Sequence, residues 1–220
     1  MAYRFPNRQR AGQVLAEALA IYRGRDDLIV LALPRGGVPV AYETARALDA
    51  PLDVFVVRKL GMPGHEELAI GAIAPGGVRV VDQSLARSYG ITAEIIDRIA
   101  AREQIELDRR EHLYRGDRPP IELAGRTVIL VDDGLATGST MRAAVIAVRD
   151  KKPREVVVAV PVGAAETCAG LEREGATVVC LTTPEPFYAV GLWYEDFSQT
   201  TDEEVHDLLE RSAERFPAGR

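Results

Sequence analysis

One segment in the middle of the chain combines two adjacent carboxylates with a short run of glycine and hydroxyl residues. Asp132 and Asp133 follow four apolar residues, and the sequence Thr-Gly-Ser-Thr occupies residues 137–140. Hydroxyls and backbone N–H groups at the start of a helix bind anions such as phosphate, and Gly138 would let the backbone approach closely. Adjacent carboxylates repel phosphate but accept hydrogen bonds strongly, so they should face vicinal sugar hydroxyls. The segment therefore predicts chemistry on a phosphorylated sugar.

Alternating apolar and amphipathic segments would position these residues. Short runs rich in Val, Ile and Leu alternate with helical patterns, which predicts an α/β fold with a parallel sheet covered by helices on both faces. In such a sheet, ligands bind beyond the carboxyl ends of the strands, where residues 132–140 would lie. The predicted strands span 28–34, 52–58, 127–132, 155–161 and 176–182, and the predicted helices span 38–48, 139–150 and 164–174.

The remaining segments predict smaller elements. Residues 70–81 read as two short strands joined by Pro-Gly-Gly, and residues 92–115 read as a charged helix with a solvated face. Thr201 and Glu204 form a capping box at the start of a tail helix. Without an internal repeat or a low-complexity linker, the sequence predicts a single domain over residues 1–220, with 183–220 as a C-terminal hood and tail helix.

Composition restricts the class of protein. The 220 residues are 47% apolar and 27% charged, which is typical of a globular domain and excludes collagen-like and disordered chains. The net charge of −6 lacks the basic footprint of a nucleic-acid binder. Cys168 and Cys180 fit free thiols in a reducing compartment. With no secretory signal and no long apolar run, we expect a cytoplasmic protein that binds neither nucleic acid nor membrane.

Several catalytic motifs are absent from the sequence. The pair His65-Glu66 begins a zinc-protease motif, but Ala69 stands where the second histidine is required. There is no Gly-x-Ser-x-Gly elbow and no Gly-x-Gly-x-x-Gly after a strand, and the turn after Asp133 lacks the lysine of a Walker loop. These absences disfavour zinc hydrolysis, serine catalysis, nicotinamide binding and nucleoside-triphosphate binding.

Residues 128–140, Val-Ile-Leu-Val-Asp-Asp-Gly-Leu-Ala-Thr-Gly-Ser-Thr, resemble the phosphoribosyl diphosphate (PRPP) binding motif of type I phosphoribosyltransferases. The resemblance implies the Rossmann-like fold of that family, a parallel sheet with helices on both faces and a small hood. Gly134 departs from the apolar residue that usually follows the two acids. Carried over to this sequence, the motif implies PRPP contacts by Asp132, Asp133, Gly134, Ala136, Thr137, Gly138, Ser139 and Thr140.

The turn after the first predicted strand resembles the pyrophosphate loop of the same family. It contains Arg35, Gly36 and Gly37 after Pro34. In the family, backbone amides and often a non-proline cis peptide meet the diphosphate here, so the resemblance implies that these residues bind PRPP. The alternative is an ordinary turn between a strand and a helix, because glycine is common in such turns.

Arg58 and Lys59, which end the second predicted strand, resemble a basic pair that precedes a mobile loop in adenine phosphoribosyltransferases. Two cations beside a leaving diphosphate make electrostatic sense, so both are candidates for PRPP binding and Lys59 for catalysis. Residues 60–68 would then be a flexible lid. The alternative is a solvated pair at the end of a strand.

An aromatic segment, residues 186–195, follows the last predicted strand and is the candidate acceptor pocket. It resembles the hood of hypoxanthine phosphoribosyltransferases when Gly191 is placed on the glycine of that motif. That register implies that Tyr188 stacks on a base, with Trp193 as a second base contact, and that Glu195 binds metal. The alternative is an aromatic cluster that packs the tail helix against the sheet.

The resemblance implies a reaction in which a nitrogenous base displaces pyrophosphate from carbon 1 of PRPP, with Mg²⁺ carried mostly by phosphate and ribose oxygens. Asp132 and Asp133 would stabilise the positive charge that develops on the ribose. Ala136 resembles the adenine and uracil enzymes, because 6-oxopurine enzymes usually carry an acid there. Two other classes remain open: a non-catalytic regulator that binds PRPP or a nucleotide, and a phosphoribosyl-binding hydrolase. The family is often dimeric, so a homodimer is compatible with the sequence.

Overall fold

A computed structural model describes residues 4–116 and 118–216 of the protein. Residue 117 and the ends of the predicted domain, 1–3 and 217–220, lie outside the described residues. The strands are β1 (Leu28–Ala32), β2 (Leu52–Val54), β3 (Arg58–Met62), β4 (His65–Ala74), β5 (Val78–Val81), β6 (Thr127–Val131), β7 (Glu155–Val162) and β8 (Thr177–Thr182). The helices are α1 (Arg8–Ala18), α2 (Gly37–Leu48), α3 (Gln83–Ser88), α4 (Ala93–Arg115), α5 (Ser139–Asp150), α6 (Ala165–Arg173) and α7 (Asp202–Arg215), with 3₁₀ turns at Ala20–Tyr22 and Val190–Trp193.

The central sheet is parallel and has the strand order β2-β1-β6-β7-β8. Its strands are buried on both sides: along β1, Leu28 and Val30 pack in one apolar cluster with α1 and α2, whereas Ile29 and Leu31 pack in a second cluster with α5. This arrangement explains the continuous apolar runs in the sequence and confirms the predicted fold class. No helix in the two described ranges is long and apolar enough to cross a membrane.

The strand order brings two turns together at one edge of the sheet. β2 lies on one side of β1 and β6 lies on the other, so the order in which strands are added to the sheet reverses at β1. Ala32, at the end of β1, pairs with Val131, at the end of β6. The residues that follow both strands therefore emerge side by side at the switch point of the sheet, which is where open α/β sheets bind ligands.

The prediction of one strand over residues 52–58 is wrong. β2 ends at Val54, and Arg58 begins a separate antiparallel sheet of order β3-β4-β5, which acts as the hood of the fold. Residues 60–68, predicted as a loop, lie in the β3–β4 hairpin. Met62 pairs with His65 across Pro63-Gly64, and proline followed by glycine at positive φ (78°) suits a tight turn. The two strands predicted within 70–81 are confirmed as the end of β4 and β5, whereas the hood role of residues 183–220 stays a prediction.

The charged helix α4 is confirmed, with Thr92 as its N-cap. Its face is not entirely solvated, because two ion pairs connect it to the strands. Arg58 of β3 donates to Glu103 at 2.6 Å and 3.0 Å, and Arg115 donates to Asp53 of β2 at 3.2 Å. Since all four side chains are largely shielded from solvent, the first pair fixes the hood sheet against α4 and the second fixes α4 against the central sheet.

Residues 5 and 6 pair with residues 193–196, which precede α7. The Phe5 amide donates to the Trp193 carbonyl, and the amides of Glu195 and Asp196 donate to the carbonyls of Phe5 and Pro6. This pairing leads directly into α1, a helix that the sequence analysis did not predict. The tail helix α7 begins as predicted, with the Thr201 hydroxyl accepting from the Glu204 amide at 3.1 Å.

Candidate active site

The two carboxylates at the end of β6 each have one oxygen fixed by the protein and one oxygen without a partner in the described chain. The Asp133 amide donates to Asp132 Oδ1 at 2.8 Å, and Arg8 Nε donates to Asp133 Oδ2 at 2.9 Å. The other oxygen of each carboxylate is therefore available to accept a hydrogen bond from a ligand. A pair of vicinal hydroxyls is the ligand chemistry that two neighbouring acceptors suit.

The turn after β1 lies directly against these acids. A Cβ on Gly36 would overlap the Asp133 carboxylate, and a Cβ on Gly37 would lie 2.8 Å from the Val131 carbonyl and 3.0 Å from the Asp132 Cα. Any other residue at either position would therefore displace the turn or the acids. The close approach explains the two glycines, which an ordinary turn would not require.

The loop between β6 and α5 presents backbone amides without partners. The Thr167 hydroxyl donates to the Ala136 carbonyl at 2.6 Å, and Arg142 Nη1 donates to the Thr137 carbonyl at 3.2 Å. In a trans peptide unit the N–H points away from its own carbonyl, so the amides of Thr137 and Gly138 point away from Thr167 and Arg142. Within residues 4–116 and 118–216, no hydrogen bond is made by the amides of Thr137, Gly138, Ser139 and Thr140.

The start of α5 completes this phosphate-type cradle. Its N-cap is Gly138, which has φ 70° and supplies no side-chain acceptor to the first turn. Thr137 Oγ1 and Ser139 Oγ lie 3.3 Å apart and add hydroxyl donors. Free amides, hydroxyls and the positive end of the helix dipole together favour an anion at this position.

The turn after β1 offers a second set of free amides. The peptide bond between Pro34 and Arg35 is cis, as it often is in the pyrophosphate loop that this turn resembles. The amides of Arg35 and Gly36 have no partner among the residues described, and α2 begins without a side-chain cap. The Arg35 guanidinium lies 3.8 Å from Asp202 at the start of α7. Both turns at the switch point therefore present uncompensated donors on either side of the acid pair.

Burial raises the pKa of both carboxyl groups of the acid pair. Desolvation, followed by repulsion from Asp133, raises the pKa of Asp132 well above its usual range. Desolvation also raises the pKa of Asp133, while the neighbouring Arg8 opposes that rise. Although both side chains keep some contact with solvent, the surrounding protein is dense enough that burial outweighs the attraction of Arg8. Within the described residues, Arg8 is therefore the one positive charge that lowers the pKa of both neighbouring carboxyl groups.

Two residues that the sequence analysis did not identify as site residues, Arg8 and Tyr194, contact Asp133. Arg8 from α1 lies with its guanidinium 3.9 Å from the ring centre of Phe197, and it donates through Nη1 to the Ser198 carbonyl at 2.7 Å. The buried Tyr194 donates its hydroxyl to the Asp133 carbonyl at 2.6 Å. These contacts span 61 to 190 positions in sequence. No local pattern could have found them, because they depend on the meeting of the two chain ends.

Only one member of the basic pair is free of an ion pair in the described structure. Arg58 is engaged by Glu103, so its guanidinium anchors the hood sheet. Lys59 is exposed on β3 and makes no ion pair with the residues described. A direct diphosphate contact is therefore better suited to Lys59 than to Arg58.

The aromatic segment separates into exposed and packed members. Tyr188 is 78% exposed, so it is not part of the core. Phe187 and Trp193 pack against the cluster around Phe5 and Tyr194, which agrees with the alternative of a packing role for part of the segment. The base contact of Trp193 stays a prediction, and its buried Nε1 has no hydrogen-bond partner among the described residues. Glu195 is exposed, and only its backbone makes a contact, to Phe5.

The 3₁₀ turn of this segment contacts the loop after β6. A Cβ on Gly134 would lie 2.6 Å from Val190 Cγ1 and 3.1 Å from Val162 Cγ1. Val190 thus occupies the space where other sequences with this motif place a side chain after the two acids. The glycine that departs from the usual motif is explained by this contact, which couples the aromatic segment to the acid pair.

We expect Gly134→Ala to destabilise the protein by about 1–3 kcal/mol, because the new methyl group overpacks against Val190. Adding Val190→Ala should recover part of that loss, giving a double variant that is more stable than the sum of the two single effects. Urea unfolding of the four proteins measures the interaction. Strict additivity of the two substitutions would contradict the proposed contact.

The donors of the site fit a magnesium ion only together with substrate oxygens. No group of three or more His, Cys, Asp or Glu side chains in the described ranges could hold a metal by itself. Mg²⁺ commonly uses one or two carboxylates together with substrate phosphates and water. The exposed Glu195 is compatible with such an ion.

The chain belongs to the phosphoribosyl transferase family: the model of the phosphoribosyl transferase domain matches residues 6–190. The match extends from just before α1 to the 3₁₀ turn, so it includes both turns at the switch point and the acid pair. This confirms the family that the sequence of residues 128–140 resembles.

Relatives and solved structures agree with this assignment. The Mycobacterium tuberculosis protein Rv0571c, named provisionally as a phosphoribosyl transferase, is 46% identical over 212 residues, which are 96% of this chain and 48% of that protein. This chain therefore spans about half the length of that relative. The crystal structure of TT1426 from Thermus thermophilus is 46% identical and superimposes with a TM-score of 0.83, covering 94% of this chain and 98% of that chain. The bifunctional protein PyrR of Deinococcus radiodurans is 30% identical over 136 residues, 59% of this chain and 73% of that protein.

Proposed function

We propose that this protein is a phosphoribosyltransferase that transfers the 5-phosphoribosyl group of PRPP to a nitrogenous base and releases pyrophosphate. One observation carries the proposal. Among the described residues, two turns with unpartnered amides flank two carboxylates that each keep one free oxygen, within a family of phosphoribosyl transferases. PRPP has the matching parts: a phosphate and a diphosphate at opposite sides of a ribose with vicinal hydroxyls.

In this proposal, the amides and hydroxyls of residues 137–140 hold the 5-phosphate, and the turn of Arg35 and Gly36 holds the diphosphate. Asp132 and Asp133 accept hydrogen bonds from the ribose hydroxyls. When the bond from carbon 1 to the diphosphate lengthens, positive charge develops on the ribose, and the two carboxylates stabilise it. The interaction is stronger in the transition state than in the ground state, which is the condition for catalysis.

The diphosphate leaves with negative charge that needs positive partners. Lys59 is the cation of the basic pair that we assign to this role, with Arg35 beside the free amides of its turn. Mg²⁺ bound to PRPP would neutralise further phosphate charge, and Glu195 is the carboxylate that we propose as its protein ligand. The free thiols of Cys168 and Cys180 support a cytoplasmic location for the reaction.

We expect Tyr188→Ala to weaken binding of the acceptor base by about 1–3 kcal/mol without lowering the melting temperature. The exposed ring offers a flat face for stacking, and alanine removes that face without opening a cavity. Calorimetric titration of the base into the protein saturated with pyrophosphate and Mg²⁺ measures the effect. Tyr89→Ala is the matched control, because Tyr89 is also exposed, at 56%, and follows α3. Base affinity that is unchanged in Tyr188→Ala would place the acceptor elsewhere.

A regulatory protein that binds PRPP or a nucleotide without turnover is the second candidate. Similarity to a protein named PyrR, whose name states that it is bifunctional, supports keeping this candidate. The two candidates share the phosphate cradle and the acid pair, so binding of PRPP alone does not separate them. Release of pyrophosphate does.

The test is turnover of labelled PRPP with Mg²⁺ against a panel of adenine, uracil, hypoxanthine, guanine and orotate. The transferase proposal expects a labelled nucleotide and pyrophosphate in equal amounts with at least one base. Ala136 favours adenine or uracil over the 6-oxopurines. Tight binding of PRPP without a nucleotide product from any base would support the regulator, and no binding of PRPP would overturn both candidates.

A further inference from the structure

Arg8 is the only cation that donates to the acid pair within residues 4–116 and 118–216. It comes from α1, outside both turns of the site, and its side chain is 11% exposed. We propose that Arg8 is a positioning residue of the transferase: it fixes one oxygen of Asp133, so that the other oxygen faces the ribose. The role for ribose rests on the proposed function.

The guanidinium is held from three directions. Its Nε donates to Asp133 Oδ2 at 2.9 Å, its Nη1 donates to the Ser198 carbonyl at 2.7 Å, and its plane lies 3.9 Å from the centre of the Phe197 ring. A guanidinium with both a fixed carbonyl partner and an aromatic face is restricted in its rotation. The carboxylate that it binds is therefore restricted as well.

The position of Arg8 gives the two carboxylate oxygens of Asp133 different surroundings. Gly36 has no side chain, and a Cβ there would lie 3.4 Å from Arg8 Nε and would overlap Asp133 Oδ2. This oxygen is therefore enclosed between Arg8 and the turn that we assign to the diphosphate. Oδ1 has no partner among the described residues, so it is the oxygen that remains for a ribose hydroxyl.

The charges around Asp133 explain why a cation is needed there. Asp132 is its neighbour in the chain and adds negative charge, whereas Tyr194 contributes a neutral hydroxyl to the backbone carbonyl. The guanidinium of Arg35, in the turn after β1, lies 3.8 Å from Asp202 and makes no ion pair with Asp133 among the described residues. Desolvation raises the pKa of Asp133, and Arg8 is the group that lowers it. Without Arg8, two buried acids would share their site with no compensating charge, and the pair would hold a proton to higher pH.

The experiment compares Arg8→Gln with Arg8→Lys and with Arg10→Gln. Arg10 lies on the same helix, is exposed and donates its side chain only to Gln13, so it is the matched control. The carboxyl carbons of aspartate are titrated by NMR in protein without ligand, with the Asp133 signal identified by its loss in Asp133→Asn. PRPP affinity is measured in parallel with Mg²⁺ at pH 6 and pH 8.

We expect Arg8→Gln to raise the midpoint of the Asp133 titration by about 1–3 units, with the upper part of that range for a fully shielded pair. PRPP affinity should fall at least tenfold at pH 6 and less at pH 8. Arg8→Lys keeps the charge and should restore most of the midpoint but not the full affinity, because an ammonium lacks the fixed geometry of the guanidinium. Arg10→Gln should change neither.

A role limited to stability predicts a different result. In that case Arg8→Gln lowers the melting temperature but leaves the Asp133 midpoint within about 0.3 units of the wild-type value, and this outcome overturns the proposal. If Arg8→Gln does not fold, PRPP affinity in Arg8→Lys decides the question: a lower affinity supports the positioning role, and affinity at the wild-type value overturns it. If the wild-type protein binds no PRPP, the proposed function fails, whereas the titration still shows whether Arg8 controls the acid pair.

Discussion

Asp132→Asn is expected to abolish transfer and at the same time to stabilise the protein. Turnover should fall at least a hundredfold, about 2.7 kcal/mol, because the charge that opposes the developing positive charge on ribose is lost. The asparagine oxygen can still accept from the Asp133 amide, so the local geometry survives. Binding of PRPP should change less than turnover, since the charge matters most in the transition state.

The stability gain follows from the raised pKa of Asp132. In the folded protein this pKa lies well above the ordinary value of 3.8, so ionisation of Asp132 costs stability as the pH rises through the interval between the two values. Asparagine removes that cost. Its melting temperature should therefore exceed that of the wild type at pH 8, by about 2–4 °C for each kcal/mol recovered, and should match it below pH 4.

Thermal melting at pH 8 and at the lowest pH where the protein stays folded measures this difference, and single-turnover kinetics measures the transfer step. A lower melting temperature for Asp132→Asn at pH 8 would show that the carboxylate stabilises the fold. Turnover within threefold of the wild type would remove Asp132 from the reaction. Asp150→Asn, an exposed acid at the end of α5, is the matched control.

Gly138→Val is expected to weaken PRPP binding at least tenfold, which is about 1.4 kcal/mol. Gly138 has φ 70°, a conformation that a β-branched residue rarely adopts, and a Cβ there would lie 2.5 Å from Thr167 Cγ2. The loop must shift to relieve the backbone strain and the overlap with Thr167. After that shift, the amides of residues 137–140 no longer point in a common direction. Calorimetric titration with PRPP and Mg²⁺ measures the loss.

Gly125→Val controls for the backbone strain. Gly125 has φ 71°, and a Cβ at this position would have no heavy atom within 4 Å, so valine there is strained in the same way, but far from the loop. We expect Gly125→Val to lower the melting temperature while PRPP affinity stays at the wild-type value. If PRPP affinity of Gly138→Val remains within twofold, about 0.4 kcal/mol, the 5-phosphate is held elsewhere.

The sequence was a good guide wherever local pattern determines structure. The apolar runs at β1, β6, β7 and β8 are buried on both sides of a parallel sheet, and such runs have no other stable place in a domain of this size. The acid pair lies at the end of β6 and residues 137–140 lie at the start of α5, because glycine and hydroxyl residues lie between the two elements. Gly36 and Gly37, in the turn after β1, could also be interpreted from the sequence, since their close approach to the acids leaves no room for a side chain.

The sequence was a poor guide wherever distant segments decide the structure. The run 52–58 is apolar like a central strand, but Arg58 is drawn into a second sheet by Glu103 of α4, 45 positions away. Arg8 lies on a polar helix with no motif, and its importance depends on Asp133, 125 positions away. Gly134 departs from the motif because Val190, far along the chain, fills the space of a side chain there. Long-range packing leaves no periodicity for a pattern to detect.

The pairing of the chain ends determines when the site can form during synthesis. Arg8 and Ser198 are separated by 190 positions, and at about 5–20 residues per second a ribosome needs roughly 10–40 s to make the intervening chain. β1 and β6 can pair well before that time, so the phosphate cradle and both acids are assembled early. Arg8, the cation that compensates these acids, is held in place only after Phe197 and Ser198 have been synthesised. A nascent chain therefore carries the recognisable motif for a long interval before it carries a finished reaction centre.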